Sequence, residues 1–154
     1  MPSSGAFRPV SPEAVRLREG GFWADRRALN TAGIMPHAHA WMDRMGWIGN
    51  FRDPAHHTGR EFTDSEVYKL LEAYCWDDAD HRTAIDELTA LVAQTQEQDG
   101  YLGTAYGRDG QQARWSDPNF GHELYCLGHL IQAGVAAART GKAPDLVRVA
   151  RRAA

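Results

Sequence analysis

This sequence has no long hydrophobic run, almost no cysteine and little excess charge, and each shortage removes a class of function. No apolar stretch approaches the roughly 20 residues of a membrane-spanning helix. The opening Met1-Pro2-Ser3-Ser4-Gly5 has neither the basic start nor the apolar centre of a secretory signal. Only two cysteines occur, Cys75 and Cys126, too few for a disulfide framework and in keeping with a reduced, cytoplasmic setting. A net charge of −3 gives no electrostatic case for nucleic acid. No strict repeat marks a solenoid, and no segment makes a convincing strand, since Tyr101 to Tyr106 is too rich in glycine. What remains, 43% hydrophobic and 24% charged over 154 residues, is the balance of one globular domain or part of a larger one.

Helix signals fill most of the chain. Residues 1–10 read as a flexible lead-in to a domain over 11–154. Ser11-Pro12 predicts a short helix, a hydroxyl cap followed by proline, with Glu13 at the positive end of the dipole and a stop at Gly20-Gly21. A second helical stretch covers about Phe22 to Met45, with a break around Gly33 to Pro36. Thr63-Asp64-Ser65-Glu66 has the spacing of a capping box, and Val67, Leu70, Leu71, Tyr74 and Cys75 form one apolar stripe beyond it. After a short turn from Trp76 to His81, the next helix turns Ile85, Leu88, Leu91 and Val92 inward and ends by Gln98-Asp99-Gly100. A helix containing His122 runs to about Thr140, where Gly141 is a left-handed stop, and Pro144 opens one more. The links before Thr63 and His122 are long, and those at Trp76 to His81 and Gly141 to Pro144 are short. In antiparallel hairpins this alternation places the starts at Thr63 and His122 at one end, and long ordered loops carry function. The expectation is all-α: stacked antiparallel helical hairpins, as in an α/α toroid or a solenoid.

The richest run is Gly121 to Leu130, where two histidines, an acid, a tyrosine and a thiol enter a helix from the loop Trp115 to Phe120. His122, in the first turn, offers one donor and one acceptor as neutral imidazole, which suits a sugar hydroxyl; the alternative is a histidine bonded to its own loop. Glu123 reads as a capping acid in preference to a ligand contact. His122, Cys126 and His129 stand at i, i+4 and i+7, but the outer two are about 10 Å apart along the axis. Zinc holds its ligand atoms at about 2.0–2.3 Å, so His129 reads better as a buried, hydrogen-bonded histidine. Cys75 and Cys126 read as small core residues. Asp64 and Ser65 stand at the same rim, as caps or contacts, with Tyr68 able to turn its hydroxyl to a pocket and Lys69 solvated. Trp41, Trp47, Phe51, Tyr101, Tyr106, Trp115 and Phe120 crowd the loops, where some would stack on carbohydrate and others pin the loops.

Five ordered blocks carry a family resemblance: Gly21-Phe22-Trp23; Gly49-Asn50-Phe51; Asp64 to Ala73; Asp99-Gly100-Tyr101-Leu102; and His122 to Ala133. Together they resemble the N-terminal part of the family 127 glycoside hydrolases, the β-L-arabinofuranosidase family. The resemblance implies a toroid of six helical hairpins, of the (α/α)6-barrel kind, of which this chain would be an incomplete, truncated part. It implies retaining hydrolysis of β-L-arabinofuranosides by a zinc-bound cysteine thiolate and a glutamate acid/base. In that family those groups lie beyond the matched region. The expectation is therefore no catalytic residue, no metal ligand and no bound zinc in this chain, which would be inactive alone. It would supply part of the sugar pocket through His122, Asp64, Asn50 and Tyr68. The missing hairpins would leave an exposed apolar edge and a tendency to self-associate. The other readings are a non-catalytic carbohydrate-binding helical module, an epimerase or lyase on a similar toroid, and a small metal protein built on His122, Cys126 and His129.

Overall fold

The computed structural model describes residues 5, 10, 11 and 14–154, so most of the lead-in, and Pro12-Glu13 of the first predicted helix, lie outside the described residues. That helix does not extend to Gly20: Val15 to Arg18 is irregular and a turn follows at Glu19-Gly20. Val15 is exposed, and a helix this short without an apolar face on the core is not stable.

Among the described residues every regular element is helical. α1 (Phe22–Leu29) and α2 (Met35–Arg44) form one continuous rod, because the predicted break is a π-helical turn, Asn30–Ile34. Pro36 lacks an N–H and its ring would crowd the carbonyl four residues back. Widening the ladder by one residue lets the helix continue past it. The long first loop is broken up by α3 (Gly49–Arg52) and a 3-10 turn, Pro54–His56.

Two hairpins follow, α4 (Thr63–Trp76) with α5 (Arg82–Thr95), and α6 (Glu123–Thr140) with α7 (Pro144–Ala153). The predicted stripe of α4 is wholly buried; Ile85, Leu88 and Val92 come from α5, Leu130 and Ala133 from α6, and Leu146 and Val149 from α7. Leu91 is only half-buried. Each large apolar side chain so buried contributes about 1.5–3 kcal/mol, which outweighs any single cap. Gly134 lets α6 and α7 touch, since a Cβ there would lie 2.5 Å from that of Ala150. Gly141, left-handed, ends α6 as predicted.

α4 and α6 lie side by side and run the same way. Near their starts the Cys126 thiol points at the Glu61 carbonyl (3.9 Å) and Lys69 Nζ donates to the Tyr125 hydroxyl (2.9 Å). Past their far ends Lys142 donates to the carbonyl of Asp77. α5 and α7 return and finish at the first pole, where Gln96 Nε2 donates to the Val149 carbonyl (3.0 Å) and Arg152 to the carbonyls of Glu97 and Gln98. Gly100, at φ +95°, belongs to that junction; any Cβ on it would run into the Arg152 carbonyl oxygen. The starts of α4 and α6 thus share a pole, as the loop lengths imply, and the hairpins stack as they do in an α/α toroid. The face of α6 turned away from α4 and α7 carries Leu124, Ile131 and Val135, all exposed. No helix among the described residues is long and apolar enough to cross a membrane.

Candidate functional site

The start of α4 is a polar plug. Its predicted capping box does not form: the N-cap position is Phe62, with no side-chain cap bond. Thr63 Oγ1 instead accepts from Asn50 Nδ2 (3.3 Å), and Glu66 pairs with Lys69 (2.7 Å). The reason is tertiary, because Thr63 is buried and its hydroxyl faces the first loop. Asn50 exchanges two bonds with the backbone of Thr58, donating to its carbonyl (2.9 Å) and accepting from its N–H (2.8 Å). Asp64 accepts from the Thr104 N–H (2.8 Å) and hydroxyl (2.5 Å), and His57 Nδ1 lies 2.7 Å from the same hydroxyl. Burial raises the Asp64 carboxyl above its ordinary range, against the bonds from Thr104 and the charges of His57 and Arg108. Tyr68 packs edge-on against Phe51 (5.7 Å between ring centres), and its buried hydroxyl has no partner. Burial raises its pKa as well.

The start of α6 is open. His122 is the N-cap residue itself, in the left-handed conformation (φ +55°), just ahead of the first turn. Its Nδ1 meets the carbonyl of Phe120. A carbonyl only accepts, so Nδ1 carries the hydrogen, and in the neutral ring Nε2 is left as an acceptor for a ligand. The ring sits edge-on between Phe62 (5.3 Å) and Tyr125 (5.9 Å). Trp115, at φ +59°, is the other non-glycine residue with positive φ among those described. Such a conformation costs about 1–2 kcal/mol at each position, and strained backbone gathers at ligand sites. His122 and Trp115 line one cavity of about 370 Å³ with Asp117, Pro118, Asn119, Glu123, Leu124 and Tyr125.

Glu123 does not cap its own helix. Its carboxylate turns back on the loop, accepting from the Tyr101 hydroxyl (2.5 Å) and the Trp115 N–H (2.7 Å). Lys69 is tied to Tyr125 and Glu66 rather than free in solvent. The loop aromatics divide: Phe51 and Tyr106 are buried pins, whereas Trp115 and Phe120 are exposed. A larger recess of about 580 Å³ borders Arg52, Gln94, Glu97 and Arg108, but its one ring, Phe51, is buried and offers no stacking face. The opening beside His122 therefore combines what a small polyol needs: an imidazole acceptor, carboxylate and amide groups, and aromatic surface.

The family model described as "Beta-L-arabinofuranosidase, GH127 catalytic domain" matches residues 14–154. The chain belongs to this family. It is 36% identical over 110 residues to the non-reducing end beta-L-arabinofuranosidase of Bifidobacterium longum subsp. longum, a match that covers 64% of this chain and 16% of that protein. Among solved structures it superposes on a GH127 beta-L-arabinofuranosidase from Geobacillus stearothermophilus T6 (TM-score 0.81, 28% identity) and on a second GH127 beta-arabinofuranosidase (TM-score 0.73, 30% identity). Each match covers 86% of this chain and 24% of the other. The fold is that of GH127 enzymes, an all-α toroid, of which the present hairpins are a part.

Of the four residues read from sequence as sugar contacts in the GH127 pocket, only His122 lies on the cavity. Asn50, Asp64 and Tyr68 are 1%, 2% and 1% exposed, and what they touch is protein. Trp115 was read from sequence only as one of several loop aromatics and Glu123 as a capping acid; what sequence reasoning missed is that the two bond to each other. The signal for them was faint, a tryptophan in a Pro/Asn/Gly-containing loop and an acid next to the key histidine.

Zinc, implied by the GH127 resemblance, has no matching donor set here. Among the described residues no three His, Cys, Asp or Glu side chains are grouped to hold a metal ion. Burial pushes the Cys126 thiol up to about 12 and that of Cys75 to about 11, so both are neutral thiols in the core. His129 differs from its sequence reading: it is only half-buried, and its Nδ1 is enclosed without a hydrogen-bond partner. Its ring lies edge-on to Tyr125 (4.6 Å), and burial, aided by Lys69, lowers its pKa. These residues do not form a zinc site.

Proposed function

We propose that this chain is the sugar-gripping portion of a hydrolase acting on β-L-arabinofuranosides. One observation carries the reading: His122 and Trp115, both in strained left-handed backbone, line a single cavity at the loop-to-helix junction of a GH127 fold. In this reading His122 Nε2 accepts from a furanose hydroxyl. The chain spans 16% of the curated relative's length, and in this reading the bond-breaking groups belong to the parts of such a domain that it does not cover. The chain alone should release no L-arabinose from its glycosides. The two unpaired thiols, Cys75 and Cys126, support a cytoplasmic setting.

The test is titration of the full chain with methyl β-L-arabinofuranoside, followed by NMR, beside His122→Ala. Loss of one oriented hydrogen bond should weaken binding about tenfold. Equal affinities would refute the role of His122. The exposed Leu124, Ile131 and Val135 on α6 support self-association through that face. Sedimentation should show it reduced in Val135→Lys, and a wild-type chain monomeric at all concentrations would exclude it.

A further inference from the structure

Trp115 is an anomaly that the sugar site does not by itself explain. It is a bulky residue in a conformation that only glycine adopts freely, in a loop where Gly107, Gly110 and Gly121 show that glycine is freely used. The residue is 49% exposed, so core packing does not account for the strain. Two contacts hold it. Its N–H is taken by Glu123 Oε2 (2.7 Å), and its indole stands edge-on to Tyr101 (5.6 Å between centres, 89° between planes). Tyr101 is fixed by donating its hydroxyl to Glu123 Oε1 (2.5 Å), and Arg114 lies over the Tyr101 ring (4.0 Å) while bonded to Asp99 (2.6 Å) and Glu97. Both oxygens of one carboxylate are thus spent on the backbone of Trp115 and on the ring that braces its indole. A charged acceptor facing a backbone N–H is among the stronger hydrogen bonds available for this purpose.

We infer that Glu123 is a positioning residue whose carboxylate clamps Trp115 in its left-handed conformation, making the indole an apolar platform for the C–H face of the sugar that His122 binds by its hydroxyls. This rests on the arabinofuranoside reading above and adds the specificity element. An imidazole alone accepts from one hydroxyl and discriminates poorly among polyols. A ring fixed across the same cavity selects a sugar whose C–H groups gather on one face, because only that face can displace water from indole without leaving hydroxyls unpaired. Glu123 borders the same cavity, but both of its oxygens are engaged within the protein, so it acts through Trp115.

The test uses the full chain with Glu123→Ala, Glu123→Gln, Trp115→Gly and the Glu123→Ala/Trp115→Gly double variant. Amide hydrogen exchange at position 115 is measured without sugar, and affinity is measured with methyl β-L-arabinofuranoside. Glu123→Ala should speed exchange of the Trp115 N–H by about tenfold or more and weaken sugar binding by about five- to tenfold. Glu123→Gln should restore both to within about twofold, since the amide oxygen can accept from Trp115 N–H while its NH2 donates to the Tyr101 oxygen. Trp115→Gly relieves the backbone strain, should fold at least as well as wild type, and should lose the same affinity. In the double variant removing the clamp should add nothing further. Two independent, multiplying losses would overturn the inference, as would wild-type sugar binding that neither single variant changes. A wild-type chain that binds no sugar while the Trp115 N–H remains protected would overturn the arabinofuranoside reading and with it the platform.

Discussion

The two helix beginnings that share a pole are built in opposite ways. At the start of α4 the polar side chains of Asn50, Thr63 and Asp64 are buried and find their partners within the protein, in Thr58, Thr104 and each other. At the start of α6 His122 and Trp115 are strained, partly exposed, and arranged around empty volume. The first is a plug whose hydrogen bonds stabilise the fold. The second is a mouth whose strain is carried by its surroundings. The lesson is that chemistry-bearing side chains at a common rim do not all face the ligand; burial and the direction of their bonds decide which do.

That contrast can be broken most directly at Asp64. Asp64→Ala leaves the Thr104 N–H and hydroxyl buried without their acceptor and should destabilise the chain by about 3 kcal/mol in urea unfolding, while the folded fraction keeps its sugar affinity. A loss below about 1 kcal/mol, or sugar affinity that falls with it, would erase the distinction between plug and mouth. The same residue sets a pH sign. Its folded-state pKa is raised, so the folded chain keeps the proton to higher pH than the unfolded one. The resulting stabilisation is fully present below the unfolded value near 4 and is lost as pH rises through the folded value. Wild-type stability measured against Asp64→Asn should therefore decline from pH 4 upward, and a difference that grows with pH would contradict the burial argument.

At the mouth the expected sign reverses. His122→Gly removes a side chain from a left-handed position and should raise stability by about 1 kcal/mol in the same urea assay, while binding of methyl β-L-arabinofuranoside falls. A destabilised glycine variant would mean that His122 belongs to the plug. The smallest effect is at Tyr68, whose buried hydroxyl lacks a partner. Tyr68→Phe should be neutral or stabilising by up to about 1 kcal/mol, with sugar affinity unchanged. A phenylalanine variant that binds sugar less tightly would restore Tyr68 to the pocket.

Much of the scaffold could be read in advance from local signals. The stripe from Val67 to Cys75, the stop at Gly141 and the proline at 144 set the hairpin helices nearly to the residue. The alternation of loop lengths put the starts of α4 and α6 at one pole. Other features were beyond local reading. Ser11 to Gly20 carries helix signals, yet Val15 to Arg18 is irregular, and Pro36 is absorbed by a π turn inside a rod that continues. Thr63 and Glu66 have capping-box spacing, yet Asn50 and Lys69 claim their side chains first.

The order of residues alone determined which segments are helices, which of them are neighbours, and that a histidine would stand where a long loop enters one of them. Periodicity, capping residues and loop length are properties of short windows, and they act before distant segments meet. Only the folded chain decided that Asp64 faces Thr104, forty positions away, and that Glu123 turns back on Trp115. A polar side chain is a ligand contact or a structural brace according to which other segment arrives beside it, and that arrival is a product of packing.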